Sequence, residues 1–284
     1  MVFTGISREF DLTNEQQYNT IGAFWDELAA VYGLENLQGL GYNWLGSRMS
    51  YAIGLKQGDI ADYNVKISLP DTDWKIATGK TACLKELYDK IYLDGPLWYE
   101  IETFTEDGSC AVRYIRGLSV NGAQYKIIKL LGHGKGGYSY LAQRDGETCV
   151  LKQIHHEPCD YYTFGNKIEA ERRDYARLLQ TGIRIPKMLD IDMENERIIK
   201  QYVEGPTIQE LVKANALKEE YLAQVREMAD KACAMGLNID YYPTNFVVQD
   251  GLLYYIDYEC NSYEEQWNFE NWGIGYWRNE NGHQ

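Results

Sequence analysis

The sequence predicts an α+β protein of two domains: a duplicated strand–helix–strand–strand domain over residues 1–117, then a second over 118–284 whose small sheet precedes helices. Three observations predict it. The 284 residues exceed the roughly 100–200 of one ordinary domain. Short β-rich segments and helical stretches occur in the same order twice before residue 117. From residue 123 the text changes to strand, glycine-rich turn, strand, turn, strand, followed by helical periodicity.

In the first half, a short strand near FTGISREF precedes NEQQYNTIGAFWDELAAVY. There Ile21, Phe24, Trp25, Leu28 and Ala29 recur at helical spacing behind Thr13 and Asn14, which suit caps. MSYAIGLKQG and YNVKISLP are expected as strands, TACLKELYDKIYL as a second helix, and WYEIETFT with CAVRYIRGL as a strand pair around EDGS.

In the second half, Gly132, Gly134 and Gly137 form GxGxxG in AQYKIIKLLGHGKGGYSYLAQRDGETCVLKQI. Rossmann and Walker phosphate loops lead from a strand into a helix. This one leads into YSYLAQR, a β-like segment joined to TCVLKQI by DGE, so the loop sits in an antiparallel hairpin. Glycines let backbone amides approach phosphate oxygens without an intervening Cβ. Lys152 follows, flanked by Val150, Leu151 and Ile154. The helix KIEAERRDYARLLQTG offers Glu169 and Glu171 as ion-pair partners for it, and the 19-residue spacing favours Glu171. Two further β-like stretches end in a hinge at Gln201, Tyr202 and Val203, where backbone groups suit an adenine edge. Asp240 and Asn245 have DxxxxN spacing, and the hairpin FVVQDGLLYYID delivers Asp257, 17 residues after Asp240.

The net charge of −14, shared by both halves, argues against gripping a phosphate backbone, which requires Lys and Arg to neutralise phosphates. No nucleic acid partner is expected. Six cysteines (Cys83, Cys110, Cys149, Cys159, Cys233, Cys260) lack CxxC or zinc-finger spacing and are expected as free thiols in a reducing cytosol. No run of about 18 apolar residues occurs and the start has no leader-like pattern, so a cytoplasmic protein with no membrane partner is expected.

The first half resembles the GyrI-like effector-binding domain found with some AraC-type regulators, through AFWDEL, YAIGL, VKISLPDTDWKIATG and IETFTEDG. That resemblance implies a small-molecule effector bound over a carboxylate, which Glu102 best matches. Trp25, Tyr51, Trp74 and Trp98 would supply aromatic walls. The alternatives are that these aromatics are core and that Glu102 is an exposed strand residue. No helix-turn-helix precedes the domain, which points to a sensor coupled to something else. A hydrolase resident in this half is a further reading that Glu102 alone supports.

The second half, about residues 123–277, resembles the protein-kinase-like phosphotransferases of the aminoglycoside and choline kinase kind. The glycine loop, strand lysine, helix glutamate, hinge, DxxxxN and terminal aspartate occur in that family's order. The resemblance implies a five-stranded lobe joined to a mostly helical one, with ATP and Mg²⁺ as cofactors. It also implies Lys152 on the phosphates, Glu171 orienting it, Asp240 as base, and Asn245 and Asp257 on the metal. Asn238 stands where the family has His, DYE replaces DFG, and little chain follows Glu259, so the fold is expected small and truncated. Two functions follow. One is an ATP-dependent phosphotransferase acting on a protein Ser/Thr or small-molecule hydroxyl, regulated by an effector in the first half. The alternative is a catalytically silent pseudokinase that senses nucleotide and effector.

Overall fold

The computed structural model describes residues 1–70, 74–157 and 165–279. Residues 71–73 of the VKISLPDTDWKIATG segment, and Cys159, lie outside the described residues. The chain divides into two compact units, Met1–Leu130 with Ala142–Arg144, and Leu131–Leu141 with Asp145–Gln284. The expected boundary at 117/118 falls within a strand.

The first unit contains β1 (Val2–Asp11), α1 (Gln17–Tyr32), β2 (Leu37–Leu45), β3 (Arg48–Leu55), β4 (Val65–Ser68), β5 (Lys75–Lys80), α2 (Leu84–Tyr92), β6 (Leu97–Phe104) and β7 (Ser109–Val120). The strand β8 (Ala123–Gly134) begins in this unit and ends in the other. The antiparallel order is β7-β6-β2-β3-β1-β4, with β5 also paired to β7. One sheet face carries the core of Phe24, Trp25 and Leu28 from α1 against Phe10, Tyr51, Ile53 and Phe104. A separate cluster holds Phe3, Leu40, Ala52 and Ile101, with Trp74 and Tyr99 against it. Period-two alternation puts neighbours such as Tyr51 and Ala52 in different clusters.

The hairpin partner of β3 is β2, a segment not expected as a strand. The expected strand YNVKISLP contributes only β4, at the other side of β1. Glycine weakens a strand signal, and LQGLGYNWL carries two glycines for a packing reason. A Cβ on Gly39 would lie 2.0 Å from Tyr51 Oη, and one on Gly41 2.4 Å from Glu100 Oε1. The glycines make room for large polar side chains that cross β2.

The second unit contains β9 (Gly137–Arg144, whose last three residues group with the first unit), β10 (Glu147–Ile154), α3 (Lys167–Thr181), β11 (Met188–Asp192), β12 (Arg197–Gln201), α4 (Ile208–Lys213), α5 (Glu219–Ala234), β13 (Leu237–Ile239), β14 (Phe246–Gln249), β15 (Leu252–Tyr255), β16 (Cys260–Ser262) and α6 (Ile274–Trp277). Here β12 pairs with both β10 and β11, and two small hairpin-like ladders, β13 with β16 and β14 with β15, lie in the C-terminal part. Asp250 and Gly251 turn β14 into β15 with positive φ at both positions (52° and 78°), the geometry that an Asp-Gly two-residue turn supplies. Asn166 caps α3 by accepting from Glu169 N–H at 3.1 Å, and Gly182, at φ 70°, ends it. Leu178 of α3, Val225 and Met228 of α5, and Phe246, Tyr255, Tyr258 and Trp277 form the C-terminal core.

Among the described residues no helix is long and apolar enough to cross a membrane. The five described cysteines are unpaired.

Candidate functional site

Lys152 lies in β10, opposite Ile198 of β12. It is 8% exposed, a burial that only compensating charge makes tolerable. Its ammonium donates to Glu171 of α3 and lies 3.4 Å from Asp257 Oδ1. Burial works against its charge, but Asp257 and Glu171 outweigh that and raise its pKa. Glu171, rather than Glu169, meets the lysine. Glu169 turns outward to Arg172 at 2.7 Å.

Asp257 follows β15. Burial pushes its carboxyl pKa up, but Lys152, Lys200 and the Tyr258 N–H hold it down to about 2. Lys200, on β12, is a buried cation that sequence reasoning did not single out. Its Nζ donates to Ile256 O at 3.1 Å and sits 4.3 Å from the centre of the Tyr258 ring. Burial and the nearby Lys152 lower its pKa.

The segment carrying Asp240 and Asn245 is tied to the strand that delivers Asp257. Ile256 N–H donates to Asn245 O at 2.9 Å, Asn245 Nδ2 donates to Asp240 O at 3.4 Å, and Tyr255 Oη donates to Glu259 O at 2.7 Å. Asp240 N–H in turn donates to Tyr255 Oη at 3.3 Å. Burial raises the Asp240 pKa, against the Tyr242 N–H that its carboxylate accepts, and Glu259 and Asp257 add to the rise. Asn238, in the position where the resembled family has His, is buried and donates to Glu264 O at 2.8 Å, a structural tie rather than a catalytic contact.

Among the glycines, Gly132 and Gly134 face open space, whereas a Cβ on Gly137 would meet Gln153 O at 2.4 Å. Gly137 therefore serves the close approach of β9 to β10. Lys135, between the glycines, reaches Glu259 of the DYE segment at 3.0 Å. Lys167, buried at the start of α3, donates to Lys135 O at 3.0 Å and to His155 O at 2.6 Å, which pins the loop to α3. At the hinge, Gln201 N–H already donates to Lys187 O at 2.8 Å. Val203 is buried, and among the described residues its N–H and C=O meet no hydrogen-bond partner.

Asn245, Asp257 and Glu259 carry oxygens of the kind that hold magnesium, and Lys152 and Lys135, paired with Asp257 and Glu259, carry charge that suits a triphosphate. The metal takes hard oxygen ligands, and the lysines face phosphate charge.

In the first unit, Glu102 is 4% exposed, so it is not an exposed strand residue. Tyr51 Oη donates to it, Tyr88 Oη donates at 2.7 Å, and Trp25 Nε1 donates to Tyr51 Oη at 2.9 Å. Trp25 and Tyr51 thus join Glu102, but Trp74 and Trp98 do not. Trp74 packs with the cluster of Phe3, Leu40 and Ile101. Trp98 sits where the β6 register shifts between Leu97 and Tyr99, and its ring lies 5.4 Å from that of Tyr99. The bulge breaks the alternation that would have aimed it at Glu102. Glu100, two residues earlier on the same strand, was not singled out. Burial raises its pKa well above normal, Glu102 adds to the rise, and its Oε2 has no hydrogen-bond partner among the described residues. A cavity of about 530 Å³ in this unit is lined by Thr78, Lys80, Thr103, Thr105 and Ser109 and does not include Glu102.

No known family profile matches the chain. Over 101 residues it is 23% identical to a kinase-like protein, KEOPS complex subunit Bud32 of Pyrococcus abyssi, a match covering 34% of this chain and 44% of that protein. The chain thus spans less than half the length of the curated relative it matches. The similarity supports a kinase-like region.

Proposed function

We propose that the second unit is an ATP- and Mg²⁺-dependent phosphotransferase acting on a protein Ser/Thr or small-molecule hydroxyl. The observation that carries this reading is the buried Lys152 held between Glu171 and Asp257, because such a cation is positioned to grip phosphate beside a metal-binding carboxylate. Bound Mg–ATP supplies the transferable phosphoryl group and the charge that stabilises its leaving group. The chain's own residues do the rest. Glu171 fixes the rotamer of Lys152. Asp257 stays ionised at neutral pH and, with Asn245, offers metal-binding oxygens. Asp240 orients the acceptor hydroxyl and takes its proton at a carboxylate oxygen. The Val203 backbone offers one donor and one acceptor to an adenine edge.

In this reading the first unit binds a small-molecule effector that regulates transfer, with the buried Glu102, joined to Tyr51 and Trp25 and with Glu100 beside it, as the carboxylate the effector meets. The second reading is a silent nucleotide sensor. The Lys135–Glu259 ion pair favours it, since that contact draws the glycine loop onto the metal-binding segment. Phosphate release or transfer from ATP with Mg²⁺ separates the two. Asp240→Asn is expected to lower turnover by roughly 10²–10⁴-fold while nucleotide binding persists. Binding without any turnover in the wild type establishes the sensor instead.

A further inference from the structure

The glycine-rich segment carries a histidine that nucleotide chemistry does not use. His133 Nε2 lies 3.2 Å from His155 Nε2 and 3.3 Å from Glu157 Oε2. One donor atom from each of the three residues falls within 4.8 Å of the others. We propose that His133, His155 and Glu157 form a binding site for a divalent transition-metal ion of the zinc type, separate from the Asn245–Asp257 pair.

The spacing is the first argument. Zinc bonds to imidazole nitrogen and carboxylate oxygen of about 2.0–2.1 Å place neighbouring ligands of a tetrahedron about 3.3 Å apart. Both separations match that edge. The donor set is the second argument. Two imidazoles with one carboxylate suit zinc, cobalt, nickel or copper, whereas magnesium and calcium favour all-oxygen shells. A fourth position remains for water.

Orientation is the third argument. The Tyr138 ring stacks on His133, with centroids 4.1 Å apart and planes 2° from parallel. Its Oη also donates to Glu157 Oε1 at 2.5 Å, which leaves Oε2 directed at His133. One tyrosine thus aims two ligands, the outer-layer support that metal sites require. In the structure His155 Nε2 faces Gly134 O at 2.8 Å, and His155 Nδ1 accepts from Glu157 N–H at 3.2 Å. Metal binding at Nε2 displaces the Gly134 carbonyl, the ring proton resides on Nδ1, and the contact from Glu157 N–H opens. The bound ion staples the end of β8 to the residues after β10, stiffening the glycine hairpin.

The test uses the full chain, stripped with chelator and free of nucleotide, so it does not depend on the phosphotransferase reading. Zn²⁺ is titrated calorimetrically and Co²⁺ by visible absorption. One ion per chain is expected, with a tetrahedral cobalt spectrum lacking thiolate charge-transfer bands and reversed by Zn²⁺. His133→Ala and His155→Ala, both at the periphery of the unit, should each weaken binding at least tenfold, while His156→Ala leaves it unchanged. Zn²⁺ should slow amide exchange over residues 131–137 in the wild type only. Failure to bind stoichiometric zinc, wild-type affinity in both His variants, or thiolate bands that persist in His133→Ala overturns the site.

Discussion

Both units bury carboxylates beside one another, and they handle the charge in opposite ways. In the second unit Glu171 and Asp257 meet Lys152, with Lys200 close by, and Asp257 stays ionised down to about pH 2. In the first unit Glu100 and Glu102 meet tyrosine hydroxyls, and among the described residues neither forms an ion pair. Burial pushes the pKa of Asp257, Glu100 and Glu102 upward, and the partner decides the outcome. Cations convert one cluster into a set of fixed charges suited to phosphate and metal. Hydroxyls leave the other with carboxyl pKa values above their usual range, a setting that favours a ligand bringing positive charge.

Removing the cation breaks this contrast most severely. Lys152→Ala leaves two carboxylates without their counter-charge, and a loss of about 3–5 kcal/mol is expected in denaturant unfolding of the second unit. A loss under 1 kcal/mol would mean the lysine does not carry the cluster.

Removing one acid from the first unit acts in the other direction. A carboxyl whose folded pKa is raised contributes stability that is complete below its unfolded value, near 4.5, and that is lost as pH rises toward the folded value. Glu100→Gln has no such loss. It should match the wild type in thermal unfolding at pH 4 and exceed it by about 1 kcal/mol at pH 7. An equal gap at both pH values would refute the raised pKa of Glu100. The smallest effect belongs to Glu169, whose pair with Arg172 is on the surface. Glu169→Gln should change stability by less than about 0.5 kcal/mol and leave nucleotide binding intact, in contrast to Glu171→Gln.

The second unit was more legible in the sequence than the first, for a physical reason. Its glycine run, Asp-Gly turns and DxxxxN spacing are local patterns in which backbone geometry and chemistry coincide over a few residues. The first unit's site depends on packing between distant segments. Gly39 and Gly41 weaken the strand signal of LQGLGYNWL, yet they are where Tyr51 and Glu100 cross β2. Glu100 looked like any carboxylate in a strand, and the register shift in β6 that turns Trp98 away leaves no compositional trace. Lys135, Lys200 and the group of His133, His155 and Glu157 were likewise not singled out, because only the fold brings them to their partners. A signal did exist for the histidines, since three of the chain's four are placed on or beside strands that flank the glycine loop.

The central claim is that the charges around Lys152 and Asp257 exist to hold a metal-bound triphosphate. Calorimetric titration of ATP into the full chain, with Mg²⁺ and with EDTA, measures this directly for the wild type and Asp257→Asn. The account predicts binding that requires Mg²⁺ and is lost in the variant. Equal affinity with and without the metal, or in both proteins, would contradict it.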